Sequence, residues 1–365
     1  MTELASVEHP KTDRQHPAAT TDEHLRSILA WHFSPATGSP FWLRKAAGLG
    51  FDPLTDITTV ADLRRFPDVS EELRHVPVED LIPEGLVDRT FEVFESGGTT
   101  GAPKRVVDAT ARTRNVDWTS EVLAAHGFPE RGHWLHVGPT GPHVVGRTVR
   151  RLAELRGAMT FTLDFDPRWV KHLIGSGRTE LAAEYREYLL DQVELVVASQ
   201  NIKVLFITPP VLEALCARPA LYDKLAGSLE GILWAGTSIS PESLHQIEET
   251  FFPNAKVAAI YGNTLMGIAP QRPRQDGDPY PCVFRPYVPQ SIVELVDPQS
   301  GGEVAYGERG RVLVHQLSQD LFLPNVLERD TAIRVRPAAG DDVDGLADIA
   351  PLKTENAPAA IEGVY

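Results

Sequence analysis

Short apolar runs alternate with amphipathic stretches through the middle of the chain. Helical periodicity marks residues 178–198, 210–217 and 241–252, and short apolar runs lie between and before these segments. Alternation of strand and helix predicts an α/β fold in which a mostly parallel sheet is covered by helices. The predicted strands are Phe91–Phe94, Trp134–Val137, Thr160–Leu163, Val204–Thr208, Gly231–Ala235 and Val257–Tyr261.

The pattern differs toward both ends of the chain. Apolar residues recur at helical spacing behind Thr21 and Asp22, and again over 41–49, which predicts two helices packed on the core. Prolines crowd between 270 and 289, and the alternating runs 291–296 and 310–316 then predict a hairpin closed by a long loop that begins with the turn at 297–302. The apolar residues of the first helix are Leu25, Ile28, Leu29 and Phe33.

These patterns divide the chain into four parts. We expect a flexible tail over 1–20, an α/β core with a helical beginning over 21–270, a smaller β-rich subdomain over 271–340 and a tail over 341–365. The 365 residues are 42% apolar and 23% charged, which is ordinary for a globular protein.

Charge and composition exclude several classes of function. A net charge of −15 argues against a nucleic-acid partner, because such binding depends on lysine and arginine. Cys216 and Cys282 lack the spacing of a zinc or redox site and are read as ordinary buried thiols. The polar N-terminus lacks the apolar segment of a secretory signal, and no apolar run is long enough to span a membrane, so we expect a cytoplasmic protein.

The stretch FESGGTTGAPK, residues 94–104, is unusually rich in glycine and hydroxyl groups. Such residues suit a loop whose amides and hydroxyls bind an anion at close range, and a polyphosphate is the obvious candidate. The nucleotide loop GxxxxGK[ST] does not fit, because Lys104 follows a proline and Arg105 stands in the place of its Ser or Thr. GxGxxG is also absent.

Residues 96–104, Ser-Gly-Gly-Thr-Thr-Gly-x-Pro-Lys, resemble the phosphate-loop signature of the adenylate-forming superfamily. This superfamily includes acyl-CoA synthetases, luciferase and the adenylation domains of nonribosomal peptide synthesis. The stretches 234–241, 260–264 and 325–330 follow in the superfamily's order, and the resemblance covers about residues 90 to 335. Residues 307–314, Gly-Glu-Arg-Gly-Arg-Val-Leu-Val, and the short N-terminal region are most similar to phenylacetate-CoA ligase-like members.

The resemblance implies roles for individual residues. Lys104 and Thr264 would act on the phosphates and are the candidate catalytic residues, while Asp330 would hold the ribose hydroxyls. Gly141 and His143 lie in a loop that borders the acyl pocket in the family. The remaining candidate nucleotide contacts are Ser96, Gly97, Gly98, Thr99, Thr100 and Gly101 at the phosphates, and Gly236, Thr237, Ser238, Tyr261, Gly262 and Asn263 near adenine and the phosphates.

Each role has a structural alternative. Tyr261 is equally explained as a core aromatic, Thr264 as a helix cap and His143 as a structural turn residue. Asp330 lies in the charged run Glu328-Arg329-Asp330, and Asp341, Asp342 and Asp344 compete with it as ribose ligands. His133 and His136 lie on opposite faces of a strand, so no metal site is predicted there.

Two departures from the family pattern bear on the mechanism. The family glutamate that helps to hold Mg²⁺ is replaced by Leu265, so either another acid such as Glu95 or Asp108 substitutes or the nucleotide holds the metal. The chain also ends 35 residues after Asp330, where the family continues with a mobile C-terminal domain that carries a catalytic lysine. We therefore expect that domain to be absent.

The resemblance favours ATP- and Mg²⁺-dependent adenylation of a small, aromatic carboxylic acid in a biosynthetic pathway. The acceptor is open between CoA, a carrier protein and an amine. The alternatives are a partner protein that binds a nucleotide or an aryl acid without catalysis, and a member that activates nitrite to diazotise aryl amines.

Overall fold

Helices and strands alternate through residues 20–98 and 101–352, which are the residues that the computed structural model describes. The helices are α1 (Thr21–His32), α2 (Pro40–Ala46), α3 (Ala111–Ala125), α4 (Val144–Glu154), α5 (Pro167–Gly175), α6 (Thr179–Val197), α7 (Pro209–Cys216), α8 (Pro219–Ala226) and α9 (Pro241–Gln246), which a π-helical turn continues over Ile247–Phe251. Short 3-10 helices occupy Val60–Arg65, Glu72–Arg74, Val78–Leu81 and Glu84–Leu86.

The strands form three sheets. They are β1 (Glu92–Glu95), β2 (Arg105–Asp108), β3 (His133–Gly138), β4 (Thr160–Asp164), β5 (Ile202–Ile207), β6 (Gly231–Ala235), β7 (Lys256–Asn263), β8 (Gly267–Pro270), β9 (Val283–Phe284), β10 (Ser291–Val296), β11 (Arg309–Leu317), β12 (Phe322–Val335) and β13 (Gly345–Pro351). β1 and β2 pair as a separate antiparallel hairpin.

The central sheet has the strand order β4-β3-β5-β6-β7-β8 and is parallel except at β8. Alternate residues of its strands enter two different cores: Trp134 and Val204 pack beside α3 and α4, whereas Leu135 and Leu205 pack beside α6, α7 and α8. Burial on both faces explains why these strands are nearly continuous apolar runs. The predicted α/β class and its parallel sheet are confirmed.

A second, antiparallel sheet has the order β10-β11-β12-β13-β9 and supplies the predicted β-rich part of the fold. The N-terminal helices pack against it. Trp42 donates a hydrogen bond from Nε1 to the carbonyl of Phe322 (2.9 Å), and His32 stacks on the Phe322 ring with 5.2 Å between centroids. The helical beginning of the chain thus belongs to the core around this sheet.

Several boundaries differ from the sequence-based expectations. Strand β13 lies inside the expected tail 341–365 and pairs with both β12 and β9, so that segment is part of the sheet as far as Pro351. The charged run that ends at Asp330 is in strand β12 rather than in a solvated loop. Helix α1 is capped by Thr20 with Glu23, one residue before the predicted cap. The tail predicted over 1–20 lies, apart from Thr20, outside the described residues.

Two further observations concern the cysteines and the helices. Cys282 is buried and Cys216 is partly buried, and both are free thiols. Among the helices in the described part of the chain, none is long and apolar enough to cross a membrane.

The buried His136 makes stability sensitive to acid. Its ring packs edge-on against Phe206 (5.0 Å between centroids), its Nε2 has no hydrogen-bond partner, and burial lowers its pKa from 6.5 to about 4. As the pH falls, His136 binds a proton in the unfolded chain at a higher pH than in the folded protein. Its contribution to the free energy of unfolding is therefore complete above pH 6.5 and is lost as the pH falls toward 4. At pH 5 the loss is about 2 kcal/mol.

We therefore expect His136→Leu to reduce the fall in unfolding free energy between pH 7 and pH 5 by about 2 kcal/mol. Urea unfolding at the two pH values measures it. Because the comparison is made within each variant, any constant packing cost cancels. The matched control is His75→Leu at an exposed position. An unchanged pH dependence in His136→Leu would show that His136 is not the source.

Candidate functional site

The β1–β2 hairpin carries the glycine-rich loop. Its register runs from Glu92 opposite Asp108 to Glu95 opposite Arg105. At the open end, the Ser96 amide donates to the Lys104 carbonyl and the Lys104 amide donates to Ser96 Oγ, both at 2.9 Å. These two hydrogen bonds fix both ends of the predicted phosphate loop relative to each other.

Inside the loop, Gly98 and Gly101 have positive φ values of 63° and 142°, and Gly97 lies next to the first of them. Such backbone angles favour glycine and turn the chain sharply, which suits a loop that wraps an anion. Thr99 and Thr100 lie outside the described residues, so their predicted phosphate contacts stay predictions.

The ammonium group of Lys104 is bound to residues outside the loop. Nζ donates to Ser70 Oγ at 2.9 Å and forms an ion pair with Glu71 at 2.8 Å. The hydrogen bonds from Arg74 and Lys104 lower the pKa of Glu71 to about 2. Since the Glu71 side chain is 70% exposed, this partner is solvated and exchangeable, whereas the side chain of Lys104 is only 15% exposed.

The carboxylate of Glu95 anchors the start of the loop. Arg105 donates to one oxygen and Arg168 to the other, each at 2.9 Å, and Arg168 also donates to the carbonyl of Ser96 at 3.0 Å. Burial raises the pKa of Glu95, but the bonds from Arg168 and Arg105 outweigh it and lower the pKa. Because arginines bind both of its oxygens, Glu95 supports the start of the loop. It therefore does not suit the role of a magnesium ligand considered for it above.

The backbone of Glu95 connects the loop to the carboxyl edge of the central sheet. Its amide donates to the carbonyl of Pro142, in the loop after β3, and its carbonyl accepts a bond of 3.1 Å from Thr264 Oγ1, after β7. The predicted Thr264 thus contacts the phosphate loop and is not a helix cap. Ligands of parallel sheets bind at this edge.

The Tyr-Gly-Asn-Thr segment, residues 261–264, ends β7 in a tight turn. A Cβ at Gly262 would lie 2.0 Å from the carbonyl oxygen of Gly267, so only glycine fits between β7 and β8. Asn263 Oδ1 accepts hydrogen bonds from the amides of Leu265 and Met266 at 2.8 and 2.9 Å. Leu265 is buried in the core, which confirms that an apolar side chain fills the position of the family glutamate.

Asp330 meets Tyr261 across the two sheets. The tyrosine hydroxyl donates to Asp330 Oδ2 at 3.0 Å. Burial raises the pKa of Asp330, and burial together with the charges of Asp330 and Glu328 raises the pKa of Tyr261 well above 10. Tyr261 is therefore a neutral donor that orients the carboxylate.

Two of the three acids that compete with Asp330 in the sequence have other partners. Asp341 pairs with Arg285 at 2.6 Å, and Asp344 accepts hydrogen bonds from Arg334 and Tyr306 at 2.7 and 2.9 Å. The position of Asp330 beside Tyr261 favours it as the ribose ligand.

The loop 236–238 lies at the same edge of the sheet. Ala235, which ends β6, pairs with Ile260 of β7, so Gly236 lies next to the Tyr-Gly-Asn-Thr segment. Gly236 has a φ of 97°, and the hydroxyl of Thr237 is buried with no hydrogen-bond partner. Ser238 completes the loop before Ser240 caps α9. An unpaired buried hydroxyl in the loop after β6 is consistent with the predicted adenine contact.

The loop after β3 contains the two predicted acyl-pocket residues. Thr140 is fixed to Asp164 at the end of β4 by side-chain and amide hydrogen bonds of 2.7 and 3.0 Å. Gly141 follows with a φ of 53°, and His143 precedes α4. Burial and the charge of Arg168 lower the pKa of His143, so its imidazole is neutral at physiological pH. Substrate contact by Gly141 and His143 stays a prediction.

Glu328 is a site residue that sequence reasoning missed. Its Oε1 is buried with no hydrogen-bond partner. Burial and the nearby Asp330 raise its pKa to about 7, against the lowering effects of Asn263 and Lys104. No local signal identified it, because the charged run reads as a solvated loop and the strand register is irregular between Leu327 and Thr331.

The structure also limits metal binding by protein side chains alone. In residues 20–98 and 101–352, no three histidine, cysteine, aspartate or glutamate side chains lie together as a metal site. Magnesium commonly takes one or two carboxylates together with substrate phosphates, so a shared site with a nucleotide needs no such cluster.

Comparison with known proteins identifies a family that part of the chain resembles. Residues 174–319 match the family model described as AMP-binding enzyme, a segment that includes 236–238 and 261–264. The matched segment is 146 of the 365 residues, and over this segment the chain is similar to AMP-binding enzymes. The phosphate loop and Asp330 lie outside the matched segment, so their roles rest on the geometry above and on the sequence motif.

Solved structures show the same fold. The chain aligns over 96% of its length with 74% of a 2-hydroxyisobutyryl-CoA ligase in complex with 2-HIB-AMP and CoA, with a TM-score of 0.65 and 18% identity. An open conformation of that ligase aligns with 94% of this chain and 79% of its own, with a TM-score of 0.62 and 18% identity. No curated protein matches the chain. The phenylacetate-CoA ligase-like subtype stays a prediction.

Proposed function

We propose that this protein is a member of the adenylate-forming superfamily and activates a small carboxylic acid with ATP, forming an acyl-adenylate and pyrophosphate. The observation that carries the proposal is the Tyr261–Asp330 hydrogen bond beside a phosphate loop that Glu95 ties to the same edge of the sheet. This arrangement supports a proposal in which a ribose binder and a phosphate binder act at one site.

The arrangement suggests how ATP binds. The amides and hydroxyls of 96–101 and the ammonium of Lys104 would hold the triphosphate, Asp330 would accept hydrogen bonds from the ribose, and 236–238 would border adenine. A carboxylate oxygen of the acid attacks the α-phosphorus, the bond from that phosphorus to the bridging oxygen breaks, and pyrophosphate leaves with the electron pair. The protein contributes mainly positioning and neutralisation of phosphate charge.

The fold family implies Mg²⁺, and the site residues decide how it would be held. Leu265 is apolar, both oxygens of Glu95 are bound to arginines, and Asp108 accepts from the amide of Arg112 (2.9 Å) at the start of α3. Glu328, with its unpaired buried oxygen, is the carboxylate that fits. When bound, the metal would neutralise charge on the leaving pyrophosphate.

For the acid, we propose a small aromatic carboxylate of a biosynthetic pathway, received between 139–143 and 164–168. The neutral imidazole of His143 suits a cover over the adenylate, because it adds no charge to the site. The acceptor would be CoA, a carrier protein or an amine. Since one structural neighbour is a 2-hydroxyisobutyryl-CoA ligase, short hydroxy acids belong in any substrate panel.

The experiment that tests adenylation is pyrophosphate release from MgATP over a panel of aryl acids, 2-hydroxyisobutyrate and nitrite, with ATP binding followed by calorimetry on the same samples. Release that depends on one acid supports the proposal. The buried Leu265 favours a second candidate, a nucleotide-binding partner without catalysis. Binding of ATP without release from any acid would support that candidate instead.

Asp330→Asn is expected to weaken binding of AMP about ten- to hundredfold, because the amide replaces a charged acceptor for the ribose hydroxyls. Calorimetric titration with AMP measures this change. The matched control is Asp344→Asn, which removes an acid bound to Arg334 at 2.7 Å and is expected to leave AMP affinity unchanged. Equal AMP affinity in Asp330→Asn and the unmodified protein would refute the ribose assignment.

A further inference from the structure

Glu328 lies where three parts of the site meet. It belongs to β12 and is two residues from Asp330, whose charge acts on its carboxylate, and the register of β12 with β11 is irregular between Leu327 and Thr331. Asn263, at the end of β7, and Lys104, from the phosphate loop, also lie close enough to act on the carboxylate. The carboxylate therefore lies among the residues predicted to bind the ribose and the phosphates.

The carboxylate is left incompletely satisfied there. Oε1 is buried and has no hydrogen-bond partner. A buried carboxylate oxygen without a partner is costly, and native proteins keep such groups mainly where a ligand completes them. The unpaired oxygen points to a cation or a donor that arrives with the ligand.

The charges around Glu328 favour a cation. Asp330 on β12 and Asp68, which lies just before the segment 70–74, add negative charge, and Tyr261 is a neutral hydroxyl. Positive charge comes from Lys104 and from Arg311 on β11. Lys104 Nζ is held by Ser70 and Glu71, and Arg311 Nε donates to the Glu328 backbone carbonyl at 2.6 Å, so neither cation satisfies Oε1.

We propose that Glu328 replaces the missing family glutamate as the protein carboxylate that ligates the Mg²⁺ entering with ATP. The inference rests on the proposed function, since it requires a bound triphosphate. The pairing is chemically consistent: magnesium takes one or two carboxylates and fills its remaining positions with phosphate oxygens and water. In this protein the carboxylate that binds the metal would lie on strand β12 instead of in the turn after β7, where Leu265 stands.

The test is the gain in ATP affinity that Mg²⁺ produces. Calorimetry measures the Kd of ATP in excess EDTA and in excess Mg²⁺, without any acid, for the unmodified protein, Glu328→Gln and the control Glu248→Gln, which removes an acid paired with Arg274 at 2.8 Å. We expect Mg²⁺ to tighten ATP binding at least about tenfold in the unmodified protein and in Glu248→Gln, and less than about threefold in Glu328→Gln. Taking the ratio within each variant cancels general damage to the loop.

The outcomes separate the two claims. ATP binding with a metal gain that Glu328→Gln alone abolishes supports the inference. ATP binding whose metal gain survives in Glu328→Gln, or is absent from the unmodified protein, overturns it and leaves the proposed function standing. No ATP binding in either buffer overturns the proposed function itself.

Thermal unfolding distinguishes a ligand role from a structural one. Because Gln keeps the shape of the side chain and removes a buried charge, we expect the Tm of ligand-free Glu328→Gln to equal or exceed that of the unmodified protein. A Tm several degrees lower would identify Glu328 as a structural group and contradict the assignment.

Discussion

Lys104→Ala is expected to slow acid-dependent pyrophosphate release about a hundredfold to a thousandfold while leaving the fold intact. Among the predicted phosphate contacts at 96–104, it is the cationic side chain, and charge neutralisation at the phosphates supplies much of the acceleration in such reactions. Its present partners are the buried Ser70 and the exposed Glu71, so alanine removes one hydrogen bond and one exposed ion pair. Because such contacts are each worth only about 1 kcal/mol, the loss should appear mainly in the rate.

Single-turnover release of pyrophosphate, with thermal unfolding on the same samples, measures both quantities. Lys104→Arg keeps the charge and is expected to recover part of the rate, although the guanidinium does not reproduce the lysine geometry. Glu71→Gln, which removes only the exchangeable partner, should not reduce the rate. Full activity in Lys104→Ala would show that this lysine does not contact the reacting phosphates.

Gly262→Ala is expected to destabilise the protein by at least about 4 kcal/mol. A Cβ at this position would lie 2.0 Å from the carbonyl oxygen of Gly267, which is backbone and cannot move aside as a side chain would. Gly267 in turn lies against Arg112, whose guanidinium donates to the carbonyls of Thr264 and Leu265 at 2.6 and 3.1 Å. The clash would thus open the turn that carries the site.

Urea unfolding of Gly262→Ala against Gly277→Ala separates the clash from the backbone angle. Gly277 has a φ of 85°, and no atom lies within 4 Å of the position that an added Cβ would take, so alanine there costs only the positive φ, about 1 kcal/mol. Similar losses in the two variants would contradict the close approach at Gly262.

The sequence was informative where the backbone or burial restricts residue choice. The strands of the central sheet are buried on both faces, so β5 and β6 stand out as apolar runs close to their observed bounds. The phosphate loop and the turn at Gly262 need glycine for steric reasons, and that need is visible in the residues themselves.

The sequence was uninformative where partners are distant or where a strand faces the site. Strand β12 was missed because it contains Glu328 and Asp330, which look like solvated charges but are partly buried. The start of β12 is also hard to recognise from sequence, because Asn325 has a φ of 58° and its side chain donates to the carbonyl of Phe66 at 2.7 Å. Nothing local indicates that Lys104 meets Ser70, 34 residues away.

The bond between Glu95 and Arg168 restricts how this site can be exchanged with those of relatives. The carboxylate of Glu95 lies on β1, the strand that leads into the phosphate loop. It accepts a hydrogen bond from Arg168 of α5, 73 residues away in the sequence. A chimera that imports a foreign phosphate loop without its matching α5 would leave a partly buried arginine or glutamate without this partner. Loop and helix should therefore be grafted together, as one cassette.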